Sequence, residues 1–387
     1  MELCLVTDHA CNLRCSYCYA GHKKARPMAE ATAERAIDFA LARDPKTLTL
    51  SFFGGEPLLR LPFIEHTTRY AKGRLKETNP NATLAIHLNT NGTLVDDRVC
   101  EFVGAQPVVH AFVSLDGPAE VHDRHRVHVM GGGSFAEARD GLLRLSKAGA
   151  NVFALAVINP DTASATGDVV RELFSLPLAR AHVACNLRTT WDHAAIDALR
   201  RGLAQAMEHW KRAFRDGKII HLEPLTTKIL SHLHAAMPCG SRCQFALSEL
   251  VVAPSGRFYS CSELVGNDET DGFSIGDLDQ GIDHDKLGRM RADRSRIEGA
   301  CEGCDLHERC SSSCGCKHVA LTGKFGAVTD TLCNTEAAFI EAADALASTL
   351  HAEGCEAFLD FFYRKQWVPT APPTHVALRR KPVHDVP

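Results

Sequence analysis

Three cysteines stand within eight residues near the start of the chain, Cys11, Cys15 and Cys18 in CNLRCSYC, with the spacing C-x3-C-x2-C. Disulfides use cysteines in pairs, a structural zinc takes four ligands, and a cubane iron–sulfur cluster held wholly by protein also takes four. Three thiolates on a four-iron cube leave one iron open, and an open iron can bind a small molecule through an amine and a carboxylate. A second group follows far downstream: Cys239, Cys243 and Cys261, then Cys301, Cys304, Cys310 and Cys314 spaced C-x2-C-x5-C-x3-C, then Cys316 and Cys333. Zinc suits the same soft donors and is the alternative for this second group. Cys4, Cys100, Cys185 and Cys355 remain, and these, with Cys316 of the second group, are most simply core or surface thiols.

Composition narrows the setting. The chain has 387 residues, 45% hydrophobic, with sixteen cysteines and a formal net charge of −4. No basic-then-apolar signal precedes Cys11 and no apolar run is long enough to span a bilayer, which predicts a cytoplasmic protein without a membrane partner. Thiols stay reduced there, so metal ligation is favoured over disulfides. Interspersed charge leaves no general basic surface, and nucleic acid drops out as a partner class.

The elements that must position these cysteines can be read from apolar patterning. Six short β-branched runs begin at Leu3, Thr47, Thr83, His110, Asn151 and Arg180, separated by helical patterns such as MAEATAERAIDFALA from Met28 and SFAEARDGLLRLSKAG from Ser134. Repeated βα units predict a curved parallel sheet with outer helices, α/β in class. Six units fall short of the eight that close a barrel, so one side stays open. The first cysteine trio follows the first strand, where such barrels carry their chemistry. A long helical segment ends near Gly217, and the cysteine-rich stretch then contains one hairpin signal, ELVVAPSGRFYSC. A helix is expected from about Thr335 to Lys365, then a Pro-rich tail. The domain boundaries expected are 1–217 for the partial barrel, 218–237 for a linker, 238–334 for the cysteine-rich domain, 335–366 for the helix and 367–387 for the tail.

The trio, with Tyr17 before its last cysteine, resembles the radical S-adenosylmethionine superfamily. FFGGEPLL from Phe52, LNTNG from Leu88, SLDGP from Ser114 and HDRHR from His122 resemble further segments of that family in the same order. The resemblance implies a (β/α)6 TIM-like partial barrel and a [4Fe-4S] cluster on Cys11, Cys15 and Cys18. It further implies S-adenosylmethionine contacts at Tyr17, Gly54, Gly55, Glu56, Ser114, Asp116, Arg126 and Leu187. The second cysteine group, with Gly256 between Cys243 and Cys261, resembles the SPASM extension of the superfamily. That implies two auxiliary [4Fe-4S] clusters, one on Cys239, Cys243, Cys261 and Cys314, the other on Cys301, Cys304, Cys310 and Cys333, three clusters in all.

SPASM members mostly modify peptides. The expected activity is therefore radical-based oxidative modification or cross-linking, thioether or carbon–carbon, of a ribosomally made peptide, with a flavodoxin or ferredoxin as electron donor. The alternative is a sulfatase maturase that makes formylglycine. In that family an aspartate, the proposed base, follows the third cysteine of the first auxiliary cluster, whereas Ser262 stands here and Glu263 one residue later. On a strand Glu263 would face the other way, which counts against that alternative, although Glu263 remains a candidate base. An iron–sulfur electron carrier is a third reading, disfavoured because a carrier has no use for GGEP and SLDGP segments. Ten residues before Cys11 leave no room for a leader-binding domain, so a leader peptide is expected to need a separate binding protein or recognition by the barrel and C-terminal helix. His9 and the histidines of HDRHRVH read as solvated or supporting groups.

Overall fold

The computed structural model describes residues 1–234, 245–246, 249–270, 272–296 and 301–364. In chain order the principal elements are β1 (Glu2–Asp8), α1 (Glu30–Leu41), β2 (Thr47–Gly54), α2 (Leu61–Thr78), β3 (Thr83–Thr90), α3 (Asp97–Gly104), β4 (Val109–Ser114), α4 (Ala119–His125), α5 (Phe135–Lys147) and β5 (Asn151–Ile158). There follow α6 (Thr166–Phe174), β6 (Arg180–Cys185), α7 (His193–Arg215), β7 (Leu222–Glu223), α8 (Leu225–Leu233), β8 (Glu249–Val252), β9 (Phe258–Tyr259), α9 (His284–Ser295), α10 (Gly315–Thr322) and α11 (Asp330–Ala352). Two compact units form. The first is Met1–Leu115, Ala119–Leu155 and the described part of Gln244–Arg291; the second is Asp116–Pro118 with the described parts of Ala156–Cys243 and Ala292–Pro387.

In the first unit the strands run in the order β5-β4-β3-β2-β1-β8-β9. The pairings from β1 to β5 are parallel, each strand followed by helix, as the alternation of β-branched and helical runs implies. β1 is buried along almost its whole length and β3 and β5 alternate, so the sheet's core lies between strands and outer helices. The expected hairpin is present as β8 and β9, paired antiparallel. Its first strand also joins β1 in parallel, Glu2 opposite Glu249 through Leu5 opposite Val252. Parallel partners distant in sequence leave no local signal, so this addition was not legible.

At the end of β1 the register with β2 slips between Val6 and Asp8, bringing Asp8 opposite Gly54. This irregularity lifts the chain out of the sheet into the cysteine loop.

In the second unit β7 pairs in parallel with β6, a two-residue strand too short to show periodicity. Helices α7, α8 and α11 pack together, and Trp210, Phe214, Phe358 and Phe362 form an aromatic core with ring centroids 4.9–6.5 Å apart. The C-terminal helix begins earlier and ends earlier than expected from sequence. Thr329 caps it by accepting from the Leu332 N–H at 3.4 Å, and Gly354, at φ 65°, follows its C-terminus. Cys333 therefore lies in the helix's first turn. Among the described residues no helix is long and apolar enough to cross a membrane.

Candidate functional site

The loop after β1 carries Cys11, Cys15 and Cys18, and the chain braces it from three sides. Leu13 and His128 form an antiparallel bridge, the Arg14 N–H donates to the Val127 carbonyl at 2.8 Å, and the Ser16 N–H donates to His125 at 3.1 Å. The hydroxyl of Ser16 lies 2.7 Å from His125 Nδ1, and the Arg126 guanidinium sits 5.2 Å from the centre of the Tyr17 ring. Asn91, in the LNTNG stretch after β3, donates through Nδ2 to Asn12 Oδ1 at 2.9 Å and accepts from the Thr93 N–H at 2.9 Å. Asn12 in turn donates to Thr93 Oγ1 at 2.8 Å. His125 thus serves as a supporting group, one of the two roles expected for the histidines of HDRHRVH, whereas Asn12, Asn91 and Thr93 had no expected role, although Asn91 lies inside LNTNG.

Two donors point at Cys11 Sγ, the Leu13 N–H at 3.4 Å and Asn91 Nδ2 at 3.9 Å. Burial pushes the bare Cys11 thiol up to about 11, so ligation would have to displace its proton. Sulfur-directed donors and three thiols on one loop fit a cluster that takes three protein ligands. Among the described residues no group of three or more His, Cys, Asp or Glu closes around a single ion. Thiolates on separate corners of a cube stand farther apart than ligands of one ion.

Beneath the loop, β2 ends at Gly54 and is followed by Gly55 and Glu56. The Gly55 N–H donates to the Asp8 carbonyl at 2.8 Å and the Glu56 N–H to the Ala10 carbonyl at 2.9 Å. A Cβ on Gly54, whose φ is 129°, would stand 2.3 Å from the Asp8 carbonyl oxygen, and one on Gly55 would stand 2.0 Å from that of Ala10. Both glycines are thus required by the protein's own backbone. Glu56 is buried. Its Oε1 accepts from Leu58 N–H at 3.0 Å and Thr90 Oγ1 at 2.7 Å, its Oε2 from Asn91 N–H at 2.7 Å, and burial raises the carboxyl to about 7. In this structure Glu56 fastens the end of β2 to the end of β3.

The other residues implied as cofactor contacts divide between the units. Tyr17, Ser114 and Arg126 lie in the first, where Tyr17 and Arg126 touch; Asp116 and Leu187 lie in the second, where Asp116 Oδ1 accepts from the Val157 N–H at 2.9 Å.

After Cys18 the chain docks on the segment after Cys261. The His22 N–H donates to Asn267 Oδ1 at 2.7 Å, and Arg26 donates to the carbonyls of Asn267 at 2.9 Å and Asp268 at 2.5 Å. Asp268 is buried, and its carboxylate accepts from Ser255 N–H, Ser255 Oγ and Tyr259 Oη at 3.0, 2.6 and 3.2 Å. One expectation is corrected here. Ser262–Leu264 form a 3-10 turn rather than a strand, so strand alternation does not dictate where Glu263 faces. Burial and then the Glu263 carboxylate, with the Cys261 and Cys18 thiols, push the Tyr19 hydroxyl well above its ordinary range, which puts Glu263 on the side of Tyr19.

In the second unit lie Cys301, Cys304, Cys310, Cys314 and Cys333; Cys261 belongs to the first unit, and Cys239 and Cys243 fall outside the described residues. The Cys333 thiol is raised by burial and then by Cys301, Asp330 and Cys304, so Cys301 and Cys304 lie within electrostatic reach of Cys333. The Cys310 thiol is raised by burial to about 11. Cys4 and Cys316 are buried, as core thiols would be.

Residues 5–173 of the chain match the Radical SAM superfamily. Among curated relatives, the serine-type anaerobic sulfatase-maturating enzyme of Bacteroides thetaiotaomicron is 35% identical over 38% of this chain and 37% of its own length. The serine-type enzyme of Klebsiella aerogenes is 27% identical over 66% of this chain and 65% of its own. These alignments span less than two thirds of either relative. The solved structure of native anSMEcpe with bound AdoMet superposes with a TM-score of 0.76 at 19% identity, covering 91% of this chain and 99% of that one. Streptococcus suis SuiB bound to precursor peptide SuiA gives 0.57 at 17% identity, covering 84% and 75%. The likeness establishes the fold, an α/β parallel sheet of the radical SAM partial-barrel type.

Two outcomes follow. Gly55→Ala drives a methyl into the Ala10 carbonyl, and anaerobic reconstitution should then load about four fewer irons than wild type, with 5′-deoxyadenosine production at least about tenfold lower. Glu56 binds its proton more tightly folded than unfolded, so its contribution to stability is complete below about pH 4.5 and lost as pH rises through about 7. Urea unfolding of the metal-free protein should show a loss of up to about 3 kcal/mol over that window that is missing from Glu56→Gln.

Proposed function

We propose that the chain is a radical enzyme that oxidatively modifies or cross-links a ribosomally made peptide. The observation that carries it is the Cys11, Cys15 and Cys18 loop, seated on the glycine end of β2 and braced by Asn91 and the His125–His128 segment. These three thiolates would hold a [4Fe-4S] cluster with one iron free for S-adenosylmethionine, which on one-electron reduction supplies a carbon radical able to take a hydrogen atom from substrate. The chain's part is placement: Gly54 and Gly55 let backbone approach closely, and Tyr17 with Arg126 walls one flank of the loop. Cys239, Cys243, Cys261 and Cys314, and Cys301, Cys304, Cys310 and Cys333, would hold two auxiliary clusters as an exit for the electron left after hydrogen abstraction. A small redox protein would supply the first electron. A peptide substrate is supported by similar solved structures that contain bound peptide, anSMEcpe with Cp18Cys and SuiB with SuiA.

Formylglycine formation is the second reading. It is favoured by the curated relatives and by Glu263, which shares Tyr19's surroundings with Cys261 and Cys18. Ser262, unable to act as a carboxylate base, weighs against it.

Reconstituted anaerobically, the protein should carry about twelve irons, and joint replacement of Cys11, Cys15 and Cys18 by alanine should leave about eight and abolish 5′-deoxyadenosine production. Stoichiometric zinc with little iron would refute the assignment. Incubated with a sulfatase-type cysteine or serine peptide, the enzyme should give no formylglycine by mass spectrometry; its appearance, with loss in Glu263→Gln, would establish the second reading instead.

Cys314→Ala should keep 5′-deoxyadenosine production while modified peptide falls steeply, and Cys316→Ala should keep both. Equal loss of the two activities in Cys314→Ala would leave Cys314 a purely structural role.

A further inference from the structure

Lys228, on α8, is fully buried, and Glu336, on α11, is nearly so. Two charges taken out of water cost several kcal/mol each, and apolar residues of similar size commonly do as well or better for stability. What the pair does locally is specific. Lys228 Nζ donates to a Glu336 carboxylate oxygen and, at 2.7 Å, to the Arg309 carbonyl, on the peptide that precedes Cys310. The Glu336 carboxylate accepts from the Ser311 N–H at 3.0 Å, on the peptide that follows Cys310, and from Ser311 Oγ at 2.5 Å. Both peptides flanking Cys310 are therefore held by one buried ion pair. Lys317 closes the arrangement, donating to the other oxygen of Glu336 at 2.8 Å. Burial alone would raise the Glu336 carboxyl, but Lys317 and Lys228 hold it well below the usual range, so it is ionised and the clamp is charged.

Glu336 stands three residues after Cys333 in the same helix, one turn along the same face. Its bonds to Ser311 thus tie Cys310 to the helix turn that carries Cys333. We propose that the Lys228–Glu336 pair is a positioning device that presets Cys310 relative to Cys333 for a shared iron–sulfur cluster. This rests on the auxiliary-cluster reading given above. The pair acts through backbone on the two ligand segments and touches neither substrate nor cofactor. Its advantage is that ordering of the 309–311 segment is settled by folding rather than drawn from the free energy of metal binding.

The test separates presetting from stability. Lys228→Met alone removes one buried partner and should destabilise the fold, whereas Lys228→Met with Glu336→Met removes both charges and the cost of burying them. The double variant should unfold at a urea midpoint no lower than that of wild type as metal-free protein. After anaerobic reconstitution it should nonetheless hold about eight irons where wild type holds about twelve, matching Cys333→Ala. Its low-temperature electron paramagnetic resonance spectrum in the reduced state should lack the same component that Cys333→Ala lacks. A stable double variant with about twelve irons would overturn the proposal, and one that no longer folds would show the pair to be a stability element and overturn it equally. Wild type that loads only about four irons would instead defeat the auxiliary-cluster reading itself, and the clamp with it.

Discussion

Two carbonyl oxygens govern the cysteine loop. Those of Asp8 and Ala10 are taken up by the N–H groups of Gly55 and Glu56, and this contact requires the end of β2 to press directly on the strand-to-loop transition of β1. With no room for a side chain at either glycine, the approach is fixed by backbone alone. Glu56 then reaches on to Thr90 and Asn91, and Asn91 reaches Asn12 and Cys11. One chain of hydrogen bonds thus joins three successive strand ends to the first thiol. Rigidity at the loop is inherited from the sheet rather than built within the loop, which a three-ligand site needs if its thiolates are to leave one corner of a cluster free.

The loop's buried thiol and the nearby carboxylate share one logic. Cys11 is raised by burial and Glu56 likewise, in each case despite the donors that face it, so both hold their protons to a higher pH than they would in water. The second unit handles a buried carboxylate in the opposite way, surrounding Glu336 with two ammonium groups so that it stays charged. The contrast follows the partners. Glu56 receives bonds from neutral N–H and O–H donors, and Glu336 from lysines.

The parallel βα alternation, the trio's place after β1 and the β8–β9 hairpin were all legible because each is a local pattern of apolar period, turn residues or cysteine spacing. Other features were not. The parallel addition of β8 to β1 pairs residues more than two hundred positions apart, and β7 is only two residues long. Glu263 was misread because its neighbourhood resembled a strand, whereas the chain tightens there into a 3-10 turn. Glu56 could be located in the site by motif, yet its bonds to Thr90 and Asn91 depend on strand packing that no single segment records. The lysines around Glu336 carried no signal at all, since a buried lysine looks like a surface lysine in a sequence.

The contact between Arg26 and the Asn267–Asp268 backbone has a temporal meaning. Its partners lie as many as 242 residues apart, so the stretch following Cys18 has nothing to dock on while the first part of the chain emerges from the ribosome. At roughly 5–20 residues per second that interval lasts on the order of ten seconds or more. During it the first cysteine loop is synthesised, exposed and only partly braced, its strand-end supports arriving well before its cover. The bonds from Arg26 to Asn267 and Asp268 therefore form only after the strands that seat the cysteine loop have been made.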